Sequence, residues 1–283
     1  MTCVLTCMIF AAVSGSSVAT TFAIGAILIP ALIKHGYPTS YAAALQATSA
    51  ELGVIIPPSI PLILYGVSAE VSIGELFIAG FGPGILISGA LMLFVWVYCK
   101  WKGWGKNDGD GRLGFFRATR QAAWALLMPV IIVLGIRGGV FTASEAGAVA
   151  VVYALVIGFI VYRNLDIKRI PKLLLNSSRT MGIVFLVMAT ANIFNWLMAI
   201  EQVPQKVSMA LTSHVTSPAM LLLIINAVLL VLGCFMEGTA AMILTVPIIL
   251  EIMKGSGIHP IMLGIIVVLN LMIGLITPPL GLS

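Results

Sequence analysis

Gly53-Val54-Ile55-Ile56-Pro57-Pro58 and Gly274-Leu275-Ile276-Thr277-Pro278-Pro279 are the two stretches that decide the fold. Each sets a glycine and a proline pair inside a long apolar run. The prolines remove two backbone donors and bar the residue before them from helical conformation. In hydrocarbon, the carbonyls so freed are tolerated only where protein or a wet cavity satisfies them. The same signals precede both breaks in the same order. In the first series a polar tip, Ser14-Gly15-Ser16-Ser17, leads to an apolar arm with Pro30, then Tyr37-Pro38, then the break. In the second, the tip Glu237-Gly238-Thr239 leads to an arm with Pro247, then His259-Pro260, then the break. Pro38 and Pro57 lie 19 positions apart, Pro260 and Pro278 18. The pattern reads as an internal repeat of a re-entrant hairpin followed by a broken helix.

Composition places this repeat in a membrane. Of 283 residues, 60% are hydrophobic and 9% charged, and the mean hydropathy is +1.12. A soluble domain carries roughly 25% charge, so a soluble enzyme, a nucleic-acid module and a disordered chain are excluded. The runs are too long and too uniformly apolar for outer-membrane strands. The net charge of +5 does not point to nucleic acid, because eleven of the fifteen Lys and Arg fall in segments 100–120 and 163–179 between apolar runs. That is the pattern of positive-inside sorting. Cys3, Cys7, Cys99 and Cys234 lie in or beside apolar runs without metal-ligand spacing and read as inert thiols. Residues 1–33 carry no charge, so the basic start of a signal peptide is missing.

Further spans are expected at 76–99, 121–136, 146–162 and 180–200. With both basic segments in the cytoplasm, the hairpin over 1–33 enters from the cytoplasm and the hairpin over 218–252 from outside. The repeats then run in opposite directions, the plan of secondary transporters with sites near the midplane. The fold class expected is therefore an all-α polytopic membrane protein with inverted repeats. Residues 1–66 and 218–283 form the two hairpin and broken-helix halves, and 67–217 connect them. Trp96, Tyr98, Trp101 and Trp104 read as an interfacial belt, and the glycines at 103, 105, 109 and 111 as a solvated linker.

Five motifs in order, with Leu52-Gly53 to Ser59-Ile60-Pro61 and Gly139-Val140-Phe141-Thr142-Ala143-Ser144-Glu145-Ala146 joining the tips and the second break, resemble the large membrane subunit of TRAP (tripartite ATP-independent periplasmic) transporters. The resemblance runs over essentially the whole chain, and the family subunit is longer, so a fragment lacking both ends is expected. The resemblance implies an elevator-type, Na⁺-coupled importer of C4-dicarboxylates, sialic acid or related carboxylates in the bacterial inner membrane. It implies a small four-helix membrane subunit and a periplasmic binding protein as partners. No cofactor beyond Na⁺ as coupling ion and no nucleic acid are expected. The alternative is a stand-alone Na⁺/dicarboxylate symporter or ion exchanger of similar inverted-repeat fold. A passive channel is disfavoured, since re-entrant tips on opposite sides suit two alternating gates. Catalysis is not expected, because no nucleophile–base pair or metal-ligand cluster is visible.

Broken helices expose amide groups that suit a carboxylate and carbonyls that suit a cation. One Na⁺ site is expected from Ser14, Gly15, Ser16 and Ser17 with Gly53, Ile56 and Pro57. A second is expected from Gly238 and Thr239 with Gly274, Thr277 and Pro278. Ser17, Thr239 and Asn270 are candidates for the substrate, expected between the tips. Thr20, Thr21, Thr48 and Ser49 read as helix-packing residues. Glu51 either balances a cation or faces a wet cavity, and Glu237 either does so or caps the second arm. Arg137 and Glu145 are expected to pair. His35, His214 and His259 stand apart from one another near span ends.

Overall fold

A computed structural model describes residues 1–105, 115–163, 165–215, 217–254 and 257–279. Gly109 and Gly111 of the linker and the side chain of His214 lie outside the described residues. The chain folds as α1 (Thr2–Ser14), α2 (Ser17–Lys34), α3 (Thr39–Ala50), α4 (Leu52–Ile55), α5 (Ile60–Ser68), α6 (Ile73–Lys102) and α7 (Phe115–Arg137). There follow α8 (Ala143–Val156), continued by a π turn to Val161, α9 (Ile170–Ile200), α10 (Val203–His214), α11 (Pro218–Phe235), α12 (Gly238–Met253) and α13 (Pro260–Leu275). Among the described residues, five helices are long and apolar enough to cross a membrane, or six if the pair broken between Ile55 and Ile60 counts as one span. Side chains such as Phe185 and Trp196 on α9 are 62% and 66% exposed, and only Ala191 of that helix is buried. Such an apolar surface is stable facing lipid, not water. The protein is an all-α, multi-pass membrane protein.

By its contacts the chain divides into residues 1–60 with 74–154, and residues 61–73 with 155–281. In the first unit α1 and α2 form the expected hairpin. Gly15 ends α1 in left-handed conformation, and Ser16 starts α2 from an extended one. Cys3, Val4, Cys7 and Ala11 of α1 are buried, as are Ala42, Leu45, Gln46, Ser49 and Ala50 of α3, which packs on both arms. Helix α3 passes through Glu51 into α4. Ile56 is then extended, as its proline neighbour demands, and the Pro57-Pro58 bond is cis. At the end of α6, Tyr98 and Trp104 pack on Tyr41, with ring centroids 5.5 and 5.1 Å apart. This belt therefore clasps the corner between α2 and α3. At that corner, burial first and the Cys99 thiol second raise the pKa of Tyr37.

In the second unit α11 and α12 form the other hairpin, and α13 packs along α11. Proline at the first turn opens both α11 and α13, where a missing amide costs nothing. After Leu275 the chain turns, and the Pro278-Pro279 bond is cis. Tyr65 of α5 is fully buried, and its hydroxyl donates to the Pro260 carbonyl at 2.7 Å.

Three expectations need correction. Helix α9 starts at Ile170, not 180, so Lys172 and Arg179 ride on the helix itself. Helix α10 was not expected as an element; it packs on α12. Glu145 does not need Arg137: its carboxylate accepts the Thr142 amide at 2.7 Å and the Thr142 hydroxyl at 2.9 Å, a capping box at the start of α8.

Candidate functional site

In the first unit the hairpin tip and the helix break are joined atom by atom. Gly15 has φ 63°, and a side chain there would also place its Cβ 2.6 Å from the Pro58 carbonyl oxygen. Only glycine meets both demands. The Gly15 carbonyl accepts the Ile60 amide at 3.2 Å, tying the tip to the chain just past the break. The Ser16 side chain caps α2 by accepting the Ala19 amide at 3.3 Å. The Ser16 carbonyl accepts the Thr20 hydroxyl at 2.8 Å, and Thr20 Oγ1 lies 3.0 Å from Ser14 Oγ. Gly53 faces this group. A Cβ at position 53 would stand 3.1 Å from the Ser16 carbonyl oxygen and 3.2 Å from Thr20 Oγ1. Ser16 O and Thr20 Oγ1 therefore pack close against Gly53, where any side chain would crowd them, and Ser14 Oγ joins them through Thr20. All three are neutral oxygens, the donor type a small hard cation takes.

The break is otherwise well satisfied. Ser59, fully buried, donates to the Val54 carbonyl. Ile56 and Pro57 are buried beside it, and Ser17 is 3% exposed at the start of α2. Glu51 is buried at the joint of α3 and α4.

The second unit repeats the elements with different contacts. Glu237 is the cap of α12, accepting the Ala240 amide at 3.0 Å. Gly238 is buried, and a Cβ on it would meet Leu275 Cδ1 at 3.6 Å. Gly274 lies against the backbone of Gly233 on α11: a Cβ on Gly233 would be 3.0 Å from the Gly274 Cα. Thr277 turns its hydroxyl back to the Ile273 carbonyl at 2.7 Å, and its amide donates to the Gly274 carbonyl at 3.0 Å. Among the described residues no hydrogen bond joins Thr239, which is half-buried, to Thr277. Pro278 is exposed. Asn270 is buried and donates to the Asn226 side-chain oxygen at 2.5 Å and to the Ile266 carbonyl at 2.7 Å. Its amide hydrogens are thus spent on α11 and on its own helix.

The family described as "Tripartite ATP-independent periplasmic transporter, DctM component" matches residues 1–283. The chain belongs to this family. The DctM family is one of transporter permeases, not enzymes. The chain is 43% identical over 279 residues to the isethionate TRAP transporter permease protein DctMQ of Oleidesulfovibrio alaskensis, covering 98% of this chain and 44% of that protein. It is 41% identical over 280 residues to the C4-dicarboxylate TRAP transporter large permease protein DctM of Pseudomonas aeruginosa, covering 99% and 66%. It is 37% identical over 280 residues to the sialic acid TRAP transporter large permease protein SiaM of Vibrio cholerae, again covering 99% and 66%. The chain thus spans less than two thirds of the length of these relatives.

Two residues of the first half escaped a reading by motif. Thr20 reads as packing in sequence, yet it stands at the centre of the tip oxygens. Its signal is its place four residues after the capping Ser16, which lets a threonine hydroxyl reach back one turn. Ser59 has no such signal, since its acceptor is defined only by the fold of the break.

Proposed function

We propose that the chain is the hairpin-bearing part of a Na⁺-coupled permease for small organic acids in the bacterial inner membrane. It works in a TRAP transporter with a small four-helix membrane subunit and a periplasmic binding protein that delivers substrate. The observation that carries the reading is the cluster of neutral oxygens from Ser14, Ser16 and Thr20 at the first tip, with Ser16 O and Thr20 Oγ1 packed close against Gly53 of the break. Sodium is held there by the first tip, Ser14, Gly15, Ser16 and Ser17, with carbonyls of the break around Gly53, Ile56 and Pro57. A second sodium is held by Gly238 and Thr239 with Gly274, Thr277 and Pro278. The substrate carboxylate is recognised by the hydroxyls of Ser17 and Thr239, with free amides at the helix starts supplying positive charge; Asn270 joins them only by exchanging its bond to Asn226 or Ile266 for one to the substrate. In this reading residues 1–66 and 218–283 are oppositely oriented halves of a moving transport domain. The helices of 67–217 connect them or serve as scaffold.

The family membership and the names of the relatives, which cover isethionate, C4-dicarboxylate and sialic acid carriers, support an organic-acid cargo. The test is uptake of labelled C4-dicarboxylate, sialic acid and isethionate by the complete transporter in liposomes. Uptake that needs both an inward Na⁺ gradient and the binding protein is expected. Uptake indifferent to Na⁺ would remove the sodium sites. Uptake without the binding protein would identify a stand-alone symporter.

A further inference from the structure

Gln46 is a polar residue buried completely in an apolar helix, and it lies away from the tip and the break. Its amide spans both arms of the first hairpin. On one side Oε1 accepts from the thiols of Cys3 and Cys7 on α1, at 3.3 and 3.5 Å. On the other side Nε2 donates to the Thr20 carbonyl of α2 at 3.4 Å. The side chain has room there because residue 25 of α2 is a glycine: a Cβ at that position would lie 3.2 Å from Gln46 Cγ. An amide so buried costs free energy unless it is bonded at both ends. Thiols are weak donors, so packing alone would be better served by leucine or methionine.

The partner that gives Gln46 a purpose is Thr20. The residue whose carbonyl Gln46 holds is the one whose hydroxyl meets both Ser14 Oγ and the Ser16 carbonyl. A hydrogen-bonded chain therefore runs from α3 through Gln46 to Thr20 and on to the tip oxygens. We propose that Gln46 is a positioning residue for the first sodium site. It fixes the height of α2 against α1 and α3, and so sets the Thr20 hydroxyl and the tip oxygens at the separation a sodium ion needs. This rests on the sodium reading of that site. The cation is bound by the tip, and Gln46 tunes how tightly without touching it.

The test is the Na⁺ dependence of thermal unfolding of the full-length permease purified in detergent, with Na⁺ as the sole probe and choline keeping ionic strength constant. A ligand that binds the folded state alone raises stability with a concentration dependence set by its dissociation constant. Gln46→Met keeps the volume and removes the hydrogen bonds. It is expected to raise the half-saturating Na⁺ concentration about fivefold, the worth of one buried hydrogen bond. Gly25→Ala leaves the amide intact but pushes on Gln46 Cγ, and a smaller shift in the same direction is expected. A purely structural role would lower the baseline melting temperature and leave the half-saturating concentration unmoved. That result in both variants overturns the proposal. If Gln46→Met does not fold, Gly25→Ala decides alone. A parent protein that shows no stabilisation specific to Na⁺ overturns the sodium reading itself, and this inference with it.

Discussion

Replacing Gly233 by alanine is expected to destabilise the second unit, because the new Cβ would meet backbone and not a side chain that can swing away. It would stand 3.0 Å from the Gly274 Cα, 3.3 Å from the Leu271 carbonyl oxygen and 3.4 Å from the Leu271 Cα. Helices α11 and α13 must part by several tenths of an ångström, and the separation is shared along their contact. Overpacking of this kind costs about 1–3 kcal/mol. At roughly 2–4 °C per kcal/mol for a chain of this size, the melting temperature of the detergent-purified protein is expected to fall by about 2–12 °C. Gly274→Ala should cost more, since its Cβ would run into both the Cα and the carbonyl carbon of Gly233. Gly238→Ala is the control. Its Cβ would meet Leu275 at an ordinary 3.6 Å, and alanine favours helix over glycine by up to about 1 kcal/mol. Thermal unfolding of the three variants side by side should rank Gly274→Ala below Gly233→Ala, and Gly238→Ala near the parent. A Gly233→Ala protein that melts with the parent would refute the close approach of α11 and α13.

Three further outcomes follow from single contacts. Asn226→Leu leaves Asn270 without its 2.5 Å acceptor on α11, and a loss of about 1–3 kcal/mol is expected in the same unfolding assay. Tyr65→Phe keeps the buried ring but removes the 2.7 Å bond to the Pro260 carbonyl, so a smaller loss of about 1 kcal/mol is expected. Ser59→Ala strips the Val54 carbonyl of its donor. Because that carbonyl lies at the break, hydrogen exchange should speed up over 54–60 while the arms of the hairpin exchange as before.

The elements marked by proline and by small polar residues were readable in the sequence. The hairpins expected over 1–33 and 218–252 match Thr2–Lys34 and Pro218–Met253, since two long apolar arms have few other ways to meet at a Ser-Gly-Ser or Glu-Gly-Thr tip. The first break fell where the proline pair put it, and α13 ends at Leu275, ahead of the second pair. Helix α10 was hidden because Lys206, Ser208 and Ser213 interrupt its apolar face, so it lacks the uniform hydropathy of a span. The start of α9 was hidden because charge marks where lipid ends, whereas helical hydrogen bonding continues past that boundary. At the site, Ser14, Ser16 and Gly53 stand out as polar or small residues beside breaks. Thr20 and Gln46 do not, because their partners belong to other turns and other helices. Contacts such as Gln46 with Cys3, 43 positions away in the chain, become visible only once the arms are packed.

Binding of radiolabelled Na⁺ to the purified full-length permease and to its Gly53→Val variant tests the first tip and break most directly. A branched side chain at 53 would press on the Ser16 carbonyl and the Thr20 hydroxyl, to which Ser14 is bonded, and displace them. Saturable sodium binding by the parent, with one site fewer in a folded Gly53→Val protein, is the expected result. Equal binding by the two proteins would contradict the assignment of sodium to this tip.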